Sequence, residues 1–310
     1  VSRPDAYSFE RYLAAKRTVD DRALHRPTLD RLTAELAERA SRADGPVRIL
    51  EVGVGIGTML QRLLSWGALP DRVLYTGVDV RREAVDAARQ RLPPWARDRG
   101  YRVDGGDRPL RLLRDDEAVT VEFAVEDAFT FAAREAVERE WDAVVGCAFL
   151  DLVELPAALD DLFDLLAPDG LCYFPITFDG ETVFAPAPDP AFERGVIDAY
   201  HATMDAPDRP GGSRTGRRLF SEIGRAGGEV LSAGGSDWVV HPPYSDDEAY
   251  FLHHIVDIVE RAVGGAAEPG DENGIDREDL RAWAEGRHDA VEAGELTYVA
   301  HQIDLLGRVP

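Results

Sequence analysis

Arg48-Ile-Leu-Glu51-Val-Gly53-Val-Gly55-Ile-Gly57-Thr58 is an apolar run that closes on a carboxylate, passes three alternating glycines and opens into a helical pattern. The spacing predicts a strand, a tight turn and a helix start. Glycines at 53, 55 and 57 permit positive φ and let a ligand lie against bare backbone, and the first turn of the next helix offers N–H groups that have no intrahelical acceptor. Together they describe a cradle for a nucleotide-type cofactor. A dinucleotide fingerprint, G-x-G-x-x-G, needs one more residue before its third glycine, so Gly57 and the preceding Glu51 turn the reading away from nicotinamide binding.

Working outward, Val47 to Val52 reads as the first strand and Thr58 to Trp66 as the first helix. Val73 to Val80 gives a second strand ending in Gly77-Val-Asp79, and Arg81 to Leu92 a helix ended by Pro93-Pro94. Tyr101 to Arg114, around Gly105-Gly106, reads as a surface hairpin or loop. A third strand, Val119 to Val125, runs into Glu126-Asp127-Ala128, and a helix is predicted around Ala132 to Arg139. Trp141 to Cys147 is a fourth strand, Leu155 to Leu166 a helix closed by Ala167-Pro-Asp-Gly170, and Leu171 to Ile176 a fifth strand. Strand and helix alternating in this way imply parallel pairing. The fold expected is α/β: a Rossmann-like doubly wound sheet, mostly parallel with an antiparallel last strand, plus a helical lid.

Three parts follow. Residues 1–46 form an N-terminal helical extension, with Tyr7, Phe9, Tyr12 and Leu13 at helical spacing and an amphipathic stretch from Thr28 to Ala40. Residues 47–177 form the cofactor-binding α/β core. Residues 178–310 supply the rest of the sheet and lid insertions: helices at Ala191 to Thr203, Leu219 to Ala226, Asp246 to Val263 and Asp276 to Glu292, strand material at Glu229 to Val240 broken by Gly234-Gly235, and a last strand at Leu296 to Leu306. The polar, glycine-rich Gly264 to Gly274 reads as a linker.

The pattern E-x-G-x-G-x-G at residues 51–57, with an acidic residue ending each of the next two strands, resembles the class I S-adenosylmethionine (SAM) methyltransferases over roughly residues 47–177. The resemblance implies SAM as cofactor. It implies that Asp79, with Val80 beside it, accepts from both ribose hydroxyls, that Asp127 accepts from the adenine amine while the Ala128 backbone reads the ring, and that Glu51 and Gly53 meet the amino-acid end. It also puts Cys147, in Gly146-Cys-Ala-Phe-Leu-Asp151, beside the methyl-bearing sulfonium. A carboxylate suits a diol because each oxygen takes one O–H. For Asp79 and Asp127 a plain helix-capping role is the competing reading. No [N/D]-P-P-[Y/F] follows the fourth strand, as enzymes methylating base or amide nitrogens would show, and His241-Pro-Pro-Tyr244 lies too late in the chain to replace it.

Methyl transfer from a sulfonium is an in-line displacement, which demands alignment and, for a protonated acceptor, a base. Asp151 and His201 are the candidate catalytic groups, His25, His253 and His254 being the other histidines considered. Adjacent His253 and His254 point to different helix faces. Tyr12, Lys16, His25, Arg214 and Trp238 are candidate acceptor contacts. Lys16 is the only lysine among 35 basic residues. In so arginine-rich a chain its retention points to a place where a compact ammonium matters. The Arg214, Arg217, Arg218 cluster suits an anion or solvent-facing salt bridges.

Composition narrows the partners. The 310 residues are 45% hydrophobic and hold 58 acidic residues, giving a net charge of −23. Such a charge repels polyanions, so nucleic acid is not expected. No apolar run approaches a membrane span and the start shows no signal-like segment, so a soluble, cytoplasmic protein is expected. Carboxylate excess with near-absence of lysine reads as halophilic adaptation, GC-rich coding bias being the alternative. Cys147 and Cys172, too few for a disulfide framework, read as reduced core residues, and no metal site is expected. The function expected is methyl transfer from SAM to an enclosed small-molecule acceptor, with a homodimer left open. The alternatives are an NAD(P)-dependent Rossmann oxidoreductase and a non-catalytic SAM-binding protein.

Overall fold

The structure, a computed structural model, describes residues 3–4, 6–105, 109–135, 140–245, 247–266 and 275–310. Three helices come first: α1 (Phe9–Ala15), α2 (Arg17–Ala23) and α3 (Arg26–Arg42). The sheet unit follows as β1 (Val47–Val52), α4 (Thr58–Ser65), β2 (Arg72–Asp79), α5 (Arg82–Asp98), β3 (Arg102–Asp104), β4 (Leu110–Arg114), β5 (Glu117–Val125), α6 (Ala128–Glu135), β6 (Trp141–Val145), α7 (Leu155–Phe163) and β7 (Leu166–Ala185). Then come α8 (Pro190–Met204), α9 (Thr215–Arg225), β8 (Glu229–Gly235), β9 (Trp238–Val240), α10 (Glu248–Ala266), α11 (Arg277–Ala293) and β10 (Thr297–Arg308).

These strands form one sheet in the order β3-β4-β5-β2-β1-β6-β7-β10-β8, with β9 also paired to β10. β5, β2, β1, β6 and β7 are mutually parallel. β10 enters antiparallel between β7 and β8, and β4 is antiparallel to β5 and β3, so only β4 and β10 run against the rest of these strands. The strand order reverses beside β1, which makes the carboxyl ends of β1 and its neighbours the crevice of a doubly wound fold.

Alternation along β1 sends Val47 and Ile49 to one face, packed with α3, α4 and α5, and Leu50 and Val52 to the other, packed with α6, α7 and α9. β7 and β10 are long enough to leave the sheet. Their distal parts, Phe178 to Ala185 and Thr297 to Gln302, pair beyond the parallel strands' carboxyl ends. There they carry a separate apolar cluster built from α1, α2, α8, α10 and α11. Buried Asp304 fastens the irregular passage between the two parts, accepting from the backbone of Ile176 at 2.8 Å and of His25 at 2.8 Å. No helix among the described residues is long and apolar enough to cross a membrane.

Several expected boundaries differ. Pro93-Pro94 lies inside α5 and does not end it. Leu92 and Ala96, on either side of the pair, are both buried in the core, and that burial carries the helix past the missing N–H groups. The helix expected at Ala132 starts at Ala128, because Asp127 accepts from the backbone N–H groups of Phe129 and Thr130. Residues 136–139 of that expected helix, 267–274 of the expected linker, 106–108 of the expected hairpin and Asp246 lie outside the described residues. The rest of the Tyr101 to Arg114 segment is β3 and β4, which extend the sheet edge.

Candidate functional site

β1 ends at Val52 and the chain turns through Gly53, Gly55 and Gly57 at φ +69°, +53° and +79°. At Gly53 a Cβ would lie 2.8 Å from Phe149 Cδ2, and at Gly55 3.2 Å from Leu13 Cδ1. The turn is bare backbone because two side chains already crowd it. Gly57 is the N-cap of α4 and supplies no capping side chain, so the helix's first N–H groups stay available to a ligand.

A cleft of about 550 Å³ opens over this turn at the carboxyl ends of β1, β2, β5 and β6. It is lined by Glu51, Gly53 and Gly55, by Asp79 and Val80, by Asp127 and Ala128, and by Cys147. Gly57 lies just behind it at the helix start. Phe9, Leu13, Lys16 and Asp20 from the first two helices form a roof, and Phe149, Leu152 and Val153 a side wall.

Each carboxylate is held differently. Asp79 accepts from Gly55 N through Oδ2 and from Arg81 N through Oδ1, both at 2.9 Å, so it ties the glycine turn to the end of β2 while facing the cleft. Asp127 uses Oδ1 to cap α6, and among the described residues its Oδ2 takes no hydrogen bond. Capping and a ligand role are therefore compatible at Asp127, whereas Asp79 does not cap α5, whose N-cap residue is Arg81. Glu51 is 2% exposed and accepts from the Tyr75 hydroxyl at 2.5 Å through Oε2. Burial pushes its carboxyl up to about 8, against the smaller opposing pulls of the Tyr75 hydrogen bond and the Arg62 guanidinium. Burial likewise pushes the Cys147 thiol up to about 12, which leaves it a neutral wall of the cleft.

Behind the roof lies a buried charge cluster. Asp20 accepts from Trp238 Nε1 at 2.9 Å and from Arg62 at 3.0 Å, with Lys16 Nζ 3.4 Å away. Arg62 also reaches Asp21 at 2.5 Å, and its second terminal nitrogen has no hydrogen-bond partner and no solvent. Lys16 stands over the Trp238 ring, 5.0 Å from its centroid.

The remaining expected site residues fall in different places. Asp151 is the middle residue of a short turn, Leu150–Leu152, that follows β6 next to the cleft wall, and its Oδ1 is shut off from solvent with no hydrogen-bond partner among the described residues. Burial pushes its carboxyl up to about 6. Tyr12 sits in the roof helix, its ring stacked on Phe251 with centroids 5.9 Å apart and tilted against His254 at 4.3 Å. His201 lies apart from the cleft: its Nε2 is 3.0 Å from Thr182 Oγ1, and it lines a smaller hollow of about 220 Å³ between β7 and α8. His25 is also remote, capping α3 with its ring against Gly234, and Arg214 precedes α9 in a backbone bridge to Asp179. His253 pairs with His288 at 2.8 Å between α10 and α11. No group of three or more candidate metal ligands occurs among the described residues.

Sequence reading missed Asp20, Arg62 and Phe9 as parts of this site. Arg62 lies with Gln61 in the buried run Met59 to Leu64, and its 1% exposure marks it only once burial is known.

No family model and no curated protein matches this sequence. Two of the most similar solved structures are a SAM-dependent methyltransferase from Geobacter sulfurreducens in complex with S-adenosyl-L-homocysteine and a geranyl diphosphate C-methyltransferase from Streptomyces coelicolor A3(2). The first is 15% identical, covers 95% of this chain and 97% of its own, and superposes with a TM-score of 0.42. The second is 11% identical, covers 99% and 86%, and has a TM-score of 0.43. Identities this low and scores below one half leave the chemistry to be read from the cleft's own side chains.

Proposed function

We propose that this protein is a SAM-dependent methyltransferase acting on a small-molecule acceptor. The observation that carries the reading is the convergence of Glu51, Asp79 and Asp127 with the Gly53–Gly57 turn on one cleft. These residues come from three separate strand ends. A nucleoside with an amino-acid tail needs that spread of acceptors: a carboxylate for a diol, another for an exocyclic amine, and a third for an ammonium. The glycine turn and helix N-terminus supply bare backbone where the tail crosses β1. When bound, SAM would supply an electrophilic methyl group on a sulfonium.

The residues of this chain would then bind, align and exclude water. The α1–α2 roof covers the cleft, which suits an acceptor small enough to be enclosed. Asp151 is the proposed base: a buried carboxyl near 6 is substantially ionised at neutral pH and still basic enough to take a proton from an acceptor N–H or O–H. His201, bonded to Thr182 and away from the cleft, is the weaker candidate. Residues 1–46 serve as a helical extension and lid, 47–177 as cofactor platform, and 178–310 supply the rest of the sheet with lid insertions.

Calorimetry with S-adenosylhomocysteine (SAH) and NADH tests the cofactor. Binding of SAH without NADH is expected, and the reverse would discard the proposal in favour of an oxidoreductase. Formation of SAH from SAM in the presence of an acceptor-containing extract separates an enzyme from a SAM-binding protein without turnover.

A further inference from the structure

Lys16 closes α1 and opens α2, one helical turn beyond Tyr12, whose carbonyl accepts from its backbone N–H at 3.0 Å. It is 8% exposed and lines the cleft, yet its ammonium makes no hydrogen bond among the described residues. Asp20, 3.4 Å away, is already supplied with donors by Trp238 and Arg62. Lys16 is also the cation whose charge acts on the Asp151 carboxyl, and Asp151 in turn acts on the hydroxyls of Tyr12 and of Tyr200 in α8. An ammonium, a carboxyl and two hydroxyls from the roof, the turn after β6 and α8 thus lie within reach of one another's charge. Asp151 Oδ1 and both hydroxyls take no hydrogen bond among the described residues. Polar groups so deep normally have partners, and several open valences in one place describe the seat of a polar ligand. The seat is firm on one side: at Gly211, φ +97°, a Cβ would lie 2.1 Å from the Asp151 carbonyl oxygen, so the chain there braces the turn that carries the carboxyl.

Charge decides which acceptor fits. An amine leaves methyl transfer as an ammonium, in the repelling field of Lys16. A hydroxyl leaves as a neutral ether, and its conjugate base is an anion that the ammonium attracts. Acidity narrows the hydroxyl further. A phenol gives up its proton at about 10, within reach of a carboxyl that burial holds at about 6 once an ammonium stands beside the oxygen, whereas a hydroxyl as weakly acidic as water, at roughly 16, is out of reach. The apolar wall of Phe149, Leu152 and Val153 suits the flat body of such a molecule.

Accepting the SAM reading above, we propose that the acceptor is a phenol or a comparably acidic enol, with Lys16 holding its oxygen as an anion while Asp151 takes the proton. The oxygen's electron pair forms the O–CH₃ bond, the pair of the broken S–CH₃ bond returns to sulfur, and Asp151 later yields the proton to solvent. The product is a methyl ether with no charge for Lys16 to hold, which favours its release.

Titration of the full chain, saturated with SAH, with 4-nitrophenol, whose anion absorbs visible light, and with 4-nitroaniline, which carries NH₂ in place of OH, tests this. Nitrophenol should bind about tenfold or more tighter than nitroaniline, and more of it should be anionic when bound than when free at the same pH. Nitroaniline binding as well as nitrophenol, neither compound binding, or bound nitrophenol no more ionised than free would overturn the proposal, with SAH binding leaving the cofactor reading in place. Lys16→Met, which keeps an unbranched stem over Trp238, should lose about tenfold or more in nitrophenol affinity together with the extra anion, and Lys16→Arg should keep most of both. An unchanged nitrophenol spectrum in Lys16→Met would overturn the part given to Lys16. Failure of the unaltered protein to bind SAH would overturn the cofactor reading and this proposal together.

Discussion

At the scale of single residues, Asp79 carries two duties, holding Gly55 N and facing the cleft, and substitution separates them. Asp79→Ala should weaken SAH binding by about 1–3 kcal/mol, the loss of charge-assisted bonds to a diol, with calorimetry as the measure. Asp79→Asn, which keeps a carbonyl acceptor for Gly55, should recover thermal stability but not full affinity. Glu51 makes the pH prediction. Burial raises its carboxyl to about 8, so at pH 6 it is protonated and an incoming ammonium must first displace that proton. SAH affinity should therefore rise between pH 6 and 8, by at most about tenfold per unit, and level off above 8. In Glu51→Gln the slope should vanish, and a persisting slope would assign the proton elsewhere. Glu51, Asp79 and Asp127 could be brought to one cleft from sequence because each lies at or near the carboxyl end of a strand that apolar patterning already marked. Lys16 stood out only by rarity. Imidazole chemistry says nothing about position, and His201 and His25 make local hydrogen bonds away from the cleft.

At the scale of elements, the β1-turn-α4 unit was readable because its glycines have a steric cause. Gly53→Ala would place a methyl 2.8 Å from Phe149 Cδ2 at φ +69°, forcing a cleft wall to move. Gly67→Ala meets a similar φ, +62°, with nothing within 4 Å. Both should lose about 1–2 kcal/mol of stability to left-handed strain. Only Gly53→Ala should also lose SAH affinity, by more than about tenfold given the displaced wall, and equal affinity in the two variants would refute the cradle. Elements set by tertiary packing were less legible. Nothing local announces that α5 runs through Pro93-Pro94, because burial of Leu92 and Ala96 by other elements decides it. β7 likewise reads as a short strand, its continuation to Ala185 being stabilised by β10, more than a hundred residues later in the chain.

At the scale of the whole molecule, the projection of β7 and β10 beyond the sheet lets α1, α8, α10 and α11 assemble over the carboxyl edge, an arrangement no local pattern encodes. Composition is the global property the sequence states outright, and it carries the last prediction. A net charge of −23 makes the folded chain repel itself. Raising chloride salt from 0.1 to 1 M shortens the screening length from about 10 Å to about 3 Å and removes most of that repulsion. Favourable surface pairs such as Arg11 with Asp247 are screened as well, but each contributes only about 0–1 kcal/mol. Buried pairs such as Arg62 with Asp20 are scarcely screened. Repulsion therefore dominates the balance, and the melting temperature should climb through this range with potassium chloride. Sulfate would confound the test by strengthening apolar burial directly. A melting temperature that stays flat or falls in chloride would mean that the carboxylates are locally compensated, and the proposed adaptation to high salt would be withdrawn.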